Sequence, residues 1–181
     1  MFTDCMVDIE TTGTDPDNAA IIQICAVKFN LKSREVSPDV FNRCLSMKSR
    51  RFWDEDTRNW WGKMPDVYQS IVKRMENPET VMRDLTKWVG HDSLHFWGKP
   101  TMFDFSFIDS YYKDYGLVNP FHWRAARDMN SFICGLRHSN EQPNVDYVEF
   151  DGTAHDAFYD AFHQIKVLFA EMDRNIQVVE A

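Results

Sequence analysis

Hydrophobic positions near the N-terminus fall into short runs separated by polar turns, which is typical of strands. Residues 4–9 form the first run and end at Thr-Thr-Gly and a polar loop. Residues 20–29 form a nearly continuous, β-branched run, which predicts a central strand buried on both faces. A third strand is predicted within Val36–Leu45. The chain should therefore open as a three-stranded antiparallel meander.

Helical signals dominate the remainder of the sequence. Acidic residues or a proline suited to a first helical turn open three short segments, at 54–61, 65–75 and 78–89. Beyond them the pattern predicts a short strand at 93–97 and helices at 104–115, 129–137 and about 155–172. Residues 140–151 are expected to form a mobile surface loop. Strands first, then helices interleaved with short strands, predict an α/β fold: a mixed sheet flanked by helices.

Length and composition narrow the class of protein. The 181 residues suffice for one α/β domain and are too few for two ordinary ones, so residues 1–181 are expected to form a single domain. With 44% hydrophobic and 27% charged residues, the chain lies in the globular range, which excludes disorder. A net charge of −8 argues against a basic coat for nucleic acid and leaves room for an acidic, metal-dependent enzyme.

The cysteines and the termini bear on location. Cys5, Cys25, Cys44 and Cys134 are scattered without a C-x-x-C pair, as expected of reduced packing residues. No leader and no apolar run of about 20 residues is present. We therefore expect a cytoplasmic protein, or one of the host cytoplasm if a phage encodes it.

Two acids on the first strand are the earliest candidates for chemistry. Asp8 and Glu10 are two residues apart, so their side chains leave one face of the strand with Cα atoms roughly 6.5–7 Å apart. Such a pair can share metal ions. Thr11, Thr12 and Gly13 follow and offer hydroxyl and N–H groups suited to a sugar or a phosphate. Taken alone, the pattern is equally compatible with solvated acids at the end of a strand.

The last predicted helix carries a further acid beside its apolar stripe. At 100° per residue, Asp160 lies about 60° beyond the edge of the stripe, whereas Asp156 lies almost opposite its centre. Asp160 should lean over the sheet and Asp156 should face water. His155 acts from the turn entering the helix, either as a packing or capping residue or in catalysis.

Asp104 lies among aromatic residues where another helix begins. It can serve as an N-terminal helix acid, worth about 0.3–1 kcal/mol through the helix dipole, or as a functional carboxylate. The segment alone leaves both interpretations open.

Together these segments resemble the three motifs of the DEDDh branch of the DnaQ-like, ribonuclease H-fold exonuclease superfamily. The matching stretches are Asp8-Ile9-Glu10-Thr11-Thr12-Gly13, then Phe103-Asp104 with Phe107-Ile108, then His155 with four residues to Asp160-Ala161. The resemblance spans about residues 4–170.

One stretch departs from the commoner second motif, because Lys99-Pro100-Thr101-Met102 stands where His-Asn-Ala-x usually precedes Phe-Asp. With Asn59-Trp60-Trp61 and Arg127-Asp128-Met129, this departure is similar to the phage exonuclease A branch and its bacterial exoribonuclease relatives.

The resemblance implies a ribonuclease H-like fold and a 3′–5′ exonuclease that releases nucleoside monophosphates with two Mg²⁺ or Mn²⁺ ions. It implies that Asp8 bridges both ions and that Glu10 and Asp160 complete the water-activating site. Asp104 would contribute through a metal-bound water or from outside the coordination sphere. His155 would be the general base. The same resemblance assigns Thr11 and Thr12 to the terminal sugar.

Aromatic and basic residues are the expected contacts to the strand. Phe103 and Trp61 are candidates for packing on the terminal bases. Trp60 and Trp61 point about 100° apart on a helix, so only one of them can face the substrate, and we prefer Trp61. Lys48, Arg50 and Arg51 form a local basic cluster that could guide the strand or simply be a solvated face.

The expected partners are 3′ ends of single-stranded DNA or RNA, with no membrane. Two alternatives remain: an exoribonuclease that trims oligoribonucleotides, and a non-catalytic nucleic-acid-binding module on the same fold. If the protein forms a homodimer, the aromatic-rich helices between residues 54 and 91 are the expected interface.

Overall fold

A central β-sheet organises the computed structural model of the chain, which describes residues 1–48, 50–90 and 93–179. Within these ranges the sheet has six strands: β1 (Asp4–Thr11), β2 (Ile21–Asn30), β3 (Glu35–Leu45), β4 (Met75–Glu76), β5 (His95–Gly98) and β6 (Ala126–Asp128). Their order across the sheet is β4-β3-β2-β1-β5-β6.

The first three strands form the predicted meander. β1 pairs antiparallel with β2, and β2 pairs antiparallel with β3. The three short strands are all parallel to their neighbours, β4 to β3, β5 to β1 and β6 to β5. β2 is buried over most of its length, as its continuous apolar run predicts. The mixed sheet expected from the sequence is confirmed.

Helices cover both faces of this sheet. The described residues contain six of them: α1 (Glu55–Trp61), α2 (Pro65–Val72), α3 (Pro78–Val89), α4 (Thr101–Asp114), α5 (Met129–Arg137) and α6 (Ala157–Val179). The start signals act as expected: Asp54 caps α1 by accepting a hydrogen bond from the Thr57 N–H group, and proline opens α2 and α3.

Several boundaries differ from the sequence-based expectation. α2 ends at Val72 because Met75–Glu76 joins the edge of the sheet, and α4 begins three residues before Asp104. β4 and β6, of two and three residues, are too short to show an alternating pattern and were not predicted. Residues 140–151 contain turns and no helix or strand, and the expected end of the aromatic-rich region at residue 91 lies outside the described residues.

The apolar core is divided by the sheet. Val7 and Ile9 of β1 pack with α3 and α4 on one face, and Met6 packs with α5 and α6 on the other. Because side chains alternate along a strand, Asp8 and Glu10 leave β1 on the same side as Met6, toward α6. The alternation thus sets both acids on the face that α6 covers.

Two further sequence-based expectations concern the cysteines and the membrane. All four cysteines are free thiols, and three of them are buried. In the described part of the chain, the helices are too short or too polar to cross a bilayer.

Candidate active site

Three carboxylates converge where β1 ends beneath the start of α6. Asp8, Glu10 and Asp160 each offer an oxygen, and these oxygens all lie within 4.8 Å of one another. β1 supplies the first two acids, and its pairing with β2 shifts register just after Glu10. Asp160 stands in the first turn of α6, where a negative charge suits the helix dipole. The sequence-based helix phase therefore placed Asp160 correctly.

The turn that enters α6 is held by hydrogen bonds from two directions. The His155 backbone N–H group donates to Asp160 Oδ2 at 2.9 Å, which ties the turn to the acid cluster. His155 itself has a φ of 63°, a left-handed conformation that non-glycine residues seldom adopt. Asp156 caps the helix, because its Oδ1 atom accepts from the Phe158 N–H group at 3.1 Å.

Asp156 does not face water, contrary to the sequence-based prediction. Its Oδ1 atom also accepts a hydrogen bond from Gln23 Nε2 at 2.7 Å, and Arg74 Nη2 lies 3.7 Å from its Oδ2. The helical phase failed because α6 begins at Ala157, so Asp156 lies in the preceding turn and points back toward β2.

Asp104 approaches the same region from the first turn of α4. It is buried, and its Oδ2 atom lies so close to Gly98 that an added Cβ on that glycine would stand 2.7 Å away. Gly98 at the end of β5 therefore makes room for this carboxyl group. Among the described residues, Asp104 is not part of the close group formed by the other three acids.

Burial strongly disfavours ionisation of these acids in the protein alone. It raises the pKa of Asp8 to about 8 and that of Glu10 to about 10, and neighbouring carboxylates add to both effects. Burial also raises the pKa of Asp160 and holds that of Asp104 well above its usual range. Such a cluster needs protons or cations to compensate its charge.

The donor set of the cluster fits a divalent cation. Three carboxylates provide only oxygen atoms, which are the ligands that Mg²⁺ and Mn²⁺ prefer. These crowded acids are costly to ionise in the protein alone. Such an arrangement is expected where a bound cation supplies the compensating positive charge.

Lys99, which departs from the commoner second motif, lies near this cluster. Its positive charge lowers the pKa values of both Asp8 and Asp160, opposing the effect of burial. The residue is half-buried in the turn between β5 and α4. The departure thus adds a cation beside the acids.

The paired tryptophans have opposite environments, which corrects the sequence-based preference for Trp61. Trp61 is 3% exposed, and its indole N–H group donates to the Thr11 carbonyl oxygen at 3.0 Å. Trp60 is 37% exposed, and its ring meets the exposed imidazole of His155 edge-on, with ring centres 4.7 Å apart. Trp60 is therefore the tryptophan that borders the acid cluster.

The two threonines after Glu10 use their hydroxyl groups within the fold. Thr11 Oγ1 donates to the Gly13 carbonyl oxygen at 2.7 Å. Thr12 is fully buried, where its Oγ1 donates to the Phe52 carbonyl oxygen at 2.8 Å and accepts from the Ala20 N–H group at 2.7 Å. The expectation that Thr12 holds the sugar is not supported, because its hydroxyl group is fully buried and hydrogen-bonded within the fold.

The remaining candidates divide between the surface and the interior. Phe103 is half-buried and packs against Phe107, with ring centres 4.9 Å apart, so part of its ring stays accessible. Arg51 is 3% exposed and is paired with Asp114, so it cannot guide a strand as a surface residue. Arg50 also contacts Asp114.

Two glutamines that the sequence analysis overlooked contact the site. Gln164 Nε2 donates to Asp8 Oδ1 at 2.6 Å, and Gln23 joins Asp156 to the sheet. Both carried a signal, since each is a polar residue in a segment that is otherwise strongly apolar: Gln23 within the β2 run and Gln164 at the margin of the α6 stripe.

Comparison with protein families gives one match that covers nearly the whole chain. Residues 3–172 match the family described as the 3′-5′ exoribonuclease Rv2179c-like domain. No curated protein sequence matches the chain.

Several solved structures share the fold. Exonuclease I matches with a TM-score of 0.73 at 16% identity, over 98% of this chain and 43% of the other. E. coli exonuclease I in complex with a dT13 oligonucleotide matches with a TM-score of 0.73 at 18% identity, over 98% and 43%. The moderately thermophilic exonuclease I from Methylocaldum szegediense gives 0.70 at 16%, over 99% and 43%. The chain thus spans less than half the length of these proteins, and the expected ribonuclease H-like fold is confirmed.

Proposed function

The chain belongs to the family of the 3′-5′ exoribonuclease Rv2179c-like domain, a family of DnaQ-like exonuclease domains, and from this premise we propose how it acts and on what. It hydrolyses the terminal phosphodiester bond at the 3′ end of a single strand and releases a nucleoside monophosphate. The observation that carries the proposal is the convergence of the Asp8, Glu10 and Asp160 carboxylates, with oxygens within 4.8 Å of one another, beside His155.

In this proposal the acids hold two divalent cations, Mg²⁺ or Mn²⁺. Asp8, Glu10 and Asp160 would provide the oxygen ligands, and buried Asp104 would add negative charge beside them. Bound there, the cations would activate the attacking water and stabilise the leaving 3′ oxygen. The chain's own task is to hold these carboxylates in fixed positions, which the pairing of β1 and the capped start of α6 support.

His155 is proposed to accept the proton of the attacking water. Imidazole is the side chain most often used as a general base near neutral pH. The hydrogen bond from its backbone N–H group to Asp160 fixes the residue without using the ring, and the edge of Trp60 limits where the ring can turn. The imidazole is exposed and can therefore reach water at the cluster.

The strand is proposed to bind through stacking. Trp60, with its ring partly exposed beside His155, and Phe103, with part of its ring accessible next to Asp104 in sequence, are the proposed stacking residues. Stacking on an aromatic side chain is worth about 1–3 kcal/mol per base and tolerates any sequence. Single-stranded binding is supported by E. coli exonuclease I, which has been solved in complex with dT13 and dA16 oligonucleotides.

RNA is the substrate we propose first, because the family description names an exoribonuclease. DNA is the second candidate, favoured by the oligonucleotide complexes of exonuclease I. A trimming activity on oligoribonucleotides a few residues long would use the same chemistry.

The test uses single-stranded RNA and DNA of matched sequence, labelled at either end, together with short oligoribonucleotides. Each is incubated with Mg²⁺, Mn²⁺ or EDTA, and the products are resolved by length. Asp8→Ala is the inactive variant, and Asp66→Ala, an exposed acid on α2, is its matched control. We expect stepwise shortening from the 3′ end with the control and none with Asp8→Ala or EDTA. Strand binding without shortening, with metal bound, would favour the non-catalytic binding module instead.

A further inference from the structure

Gln164 occupies an unusual position on α6, one turn beyond Asp160. It is 7% exposed, and its Nε2 atom donates to Asp8 Oδ1 at 2.6 Å. This is a short hydrogen bond between an amide and a carboxyl group. It joins α6 to one of the two acids that β1 contributes to the cluster.

The other end of the same side chain is not satisfied. Within the described residues, Gln164 Oε1 is buried and has no hydrogen-bond partner. Burying an unpaired acceptor is unfavourable, because the hydrogen bonds it made to water are not replaced. The neighbouring buried positions of α6, such as Ala161, Ile165 and Leu168, are apolar. An apolar side chain of similar size would avoid this unpaired acceptor, so the bond to Asp8 is the feature that distinguishes an amide at position 164.

The hydrogen bond restricts the Asp8 carboxyl group. A carboxylate turns easily about its terminal torsion, which is broad and roughly two-fold. The hydrogen bond from Gln164 to Oδ1 restricts this rotation, while the other lone pairs of the carboxylate stay available for a ligand. An amide donor does this without adding positive charge, whereas lysine or arginine at position 164 would compete with a cation.

We propose that Gln164 is a positioning residue that orients the Asp8 carboxylate for a divalent cation. The assignment rests on the proposed function, since it requires that the acid cluster binds metal. Groups that orient a ligand from outside the coordination sphere typically contribute about 10–100-fold to metal affinity or activity.

The test compares Gln164→Met, which keeps the length of the side chain and removes both polar atoms, with wild type. Gln69→Met is the matched control, because Gln69 is exposed on α2. The full chain is titrated with Mn²⁺ by calorimetry and by the paramagnetic resonance of free Mn²⁺. Thermal unfolding is followed separately in EDTA, where a role in metal binding contributes nothing.

We expect the Mn²⁺ dissociation constant of Gln164→Met to rise about 10–100-fold, with Gln69→Met unchanged. In EDTA the melting temperature should change little, because the variant removes an unpaired acceptor and also takes the donor from Asp8 Oδ1. A dissociation constant within twofold of wild type would overturn the assignment and leave the proposed function intact. Failure of the wild-type protein to bind Mn²⁺ would overturn the proposed function and the assignment together.

Discussion

Replacing Asp156 with alanine should lower the free energy of unfolding and also impair turnover. One carboxylate oxygen, Oδ1, accepts from the Phe158 N–H group at 3.1 Å and from Gln23 Nε2 at 2.7 Å. Gln23 is fully buried and uses its other amide hydrogen on Asn42. The variant therefore removes the cap of α6 and leaves a buried donor without a partner.

The magnitude follows from these two losses. Removing an N-cap costs about 0.5–2 kcal/mol, and leaving a buried amide hydrogen unpaired costs about 1–3 kcal/mol. The ion pair to Arg74 at 3.7 Å is partly exposed and adds little. Since the effects share one atom, we expect a total loss of about 2–4 kcal/mol, which for a chain of this length lowers the melting temperature by roughly 5–15 °C.

Urea unfolding in EDTA, followed by tryptophan fluorescence, measures this loss of stability. Single-turnover hydrolysis measures how far the loosened turn at His155 lowers the rate. Asp156→Asn keeps an oxygen acceptor and should cost less than about 1 kcal/mol. Asp160→Asn should abolish turnover without lowering the stability in EDTA, because it removes a charge from a crowded acid cluster. The reasoning fails if Asp156→Ala loses under about 1 kcal/mol, or if Asp160→Asn is destabilised as much as Asp156→Ala.

Three further predictions concern pH, the tryptophans and Arg51. The pKa of Asp8, raised by burial to about 8, means that the folded protein keeps a proton which the unfolded chain releases near pH 4. The free energy of unfolding in EDTA should therefore fall as pH rises from about 4 to 8, and Mn²⁺ should restore the lost stability. A melting temperature that rises over this pH range in EDTA would contradict the prediction. Trp60→Ala should raise KM for single strands about 5–100-fold with little change in melting temperature. Trp61→Phe should instead lower the melting temperature, because it breaks the hydrogen bond to the Thr11 carbonyl oxygen. Steady-state kinetics and calorimetry separate the two effects, and the opposite pattern would reverse the assignment. Arg51→Met should cost about 1–3 kcal/mol in urea unfolding, because it leaves the Ala19 carbonyl oxygen without its buried donor and half-buried Asp114 with only Arg50. A change below about 0.5 kcal/mol would show that these buried contacts of Arg51 contribute little.

Hydrophobic periodicity and helix-start signals in the sequence predicted most of the fold. The β-branched run of β2 and the prolines that open α2 and α3 act within a few residues, so their consequences can be derived from the sequence. The positions of Asp8 and Glu10 on one face follow from the alternation of a strand. β4 and β6 were not predicted, because two or three residues are too few to show an alternation of apolar and polar side chains. Their pairing depends on the neighbouring strands of the sheet.

The errors within the site have a common origin, since each depends on contacts between segments distant in sequence. Asp156 was assigned by helical phase to solvent, yet Gln23, 133 residues away in sequence, holds it at the sheet. Trp61 was preferred over Trp60, but its indole reaches Thr11 across 50 residues of sequence. Thr12 was assigned to the substrate, while Phe52, 40 residues away, takes its hydroxyl hydrogen.

The central claim is that the acid cluster directs water to the last phosphodiester bond of a strand. Hydrolysis of single-stranded RNA with Mn²⁺ in ¹⁸O-labelled water, followed by mass spectrometry of the products, tests it most directly. We expect nucleoside 5′-monophosphates that carry one ¹⁸O in the phosphate, a shortened strand with a free 3′ hydroxyl group, and neither product with Asp8→Ala. Products that end in a 3′ phosphate, unlabelled phosphate, or equal turnover by Asp8→Ala would contradict it.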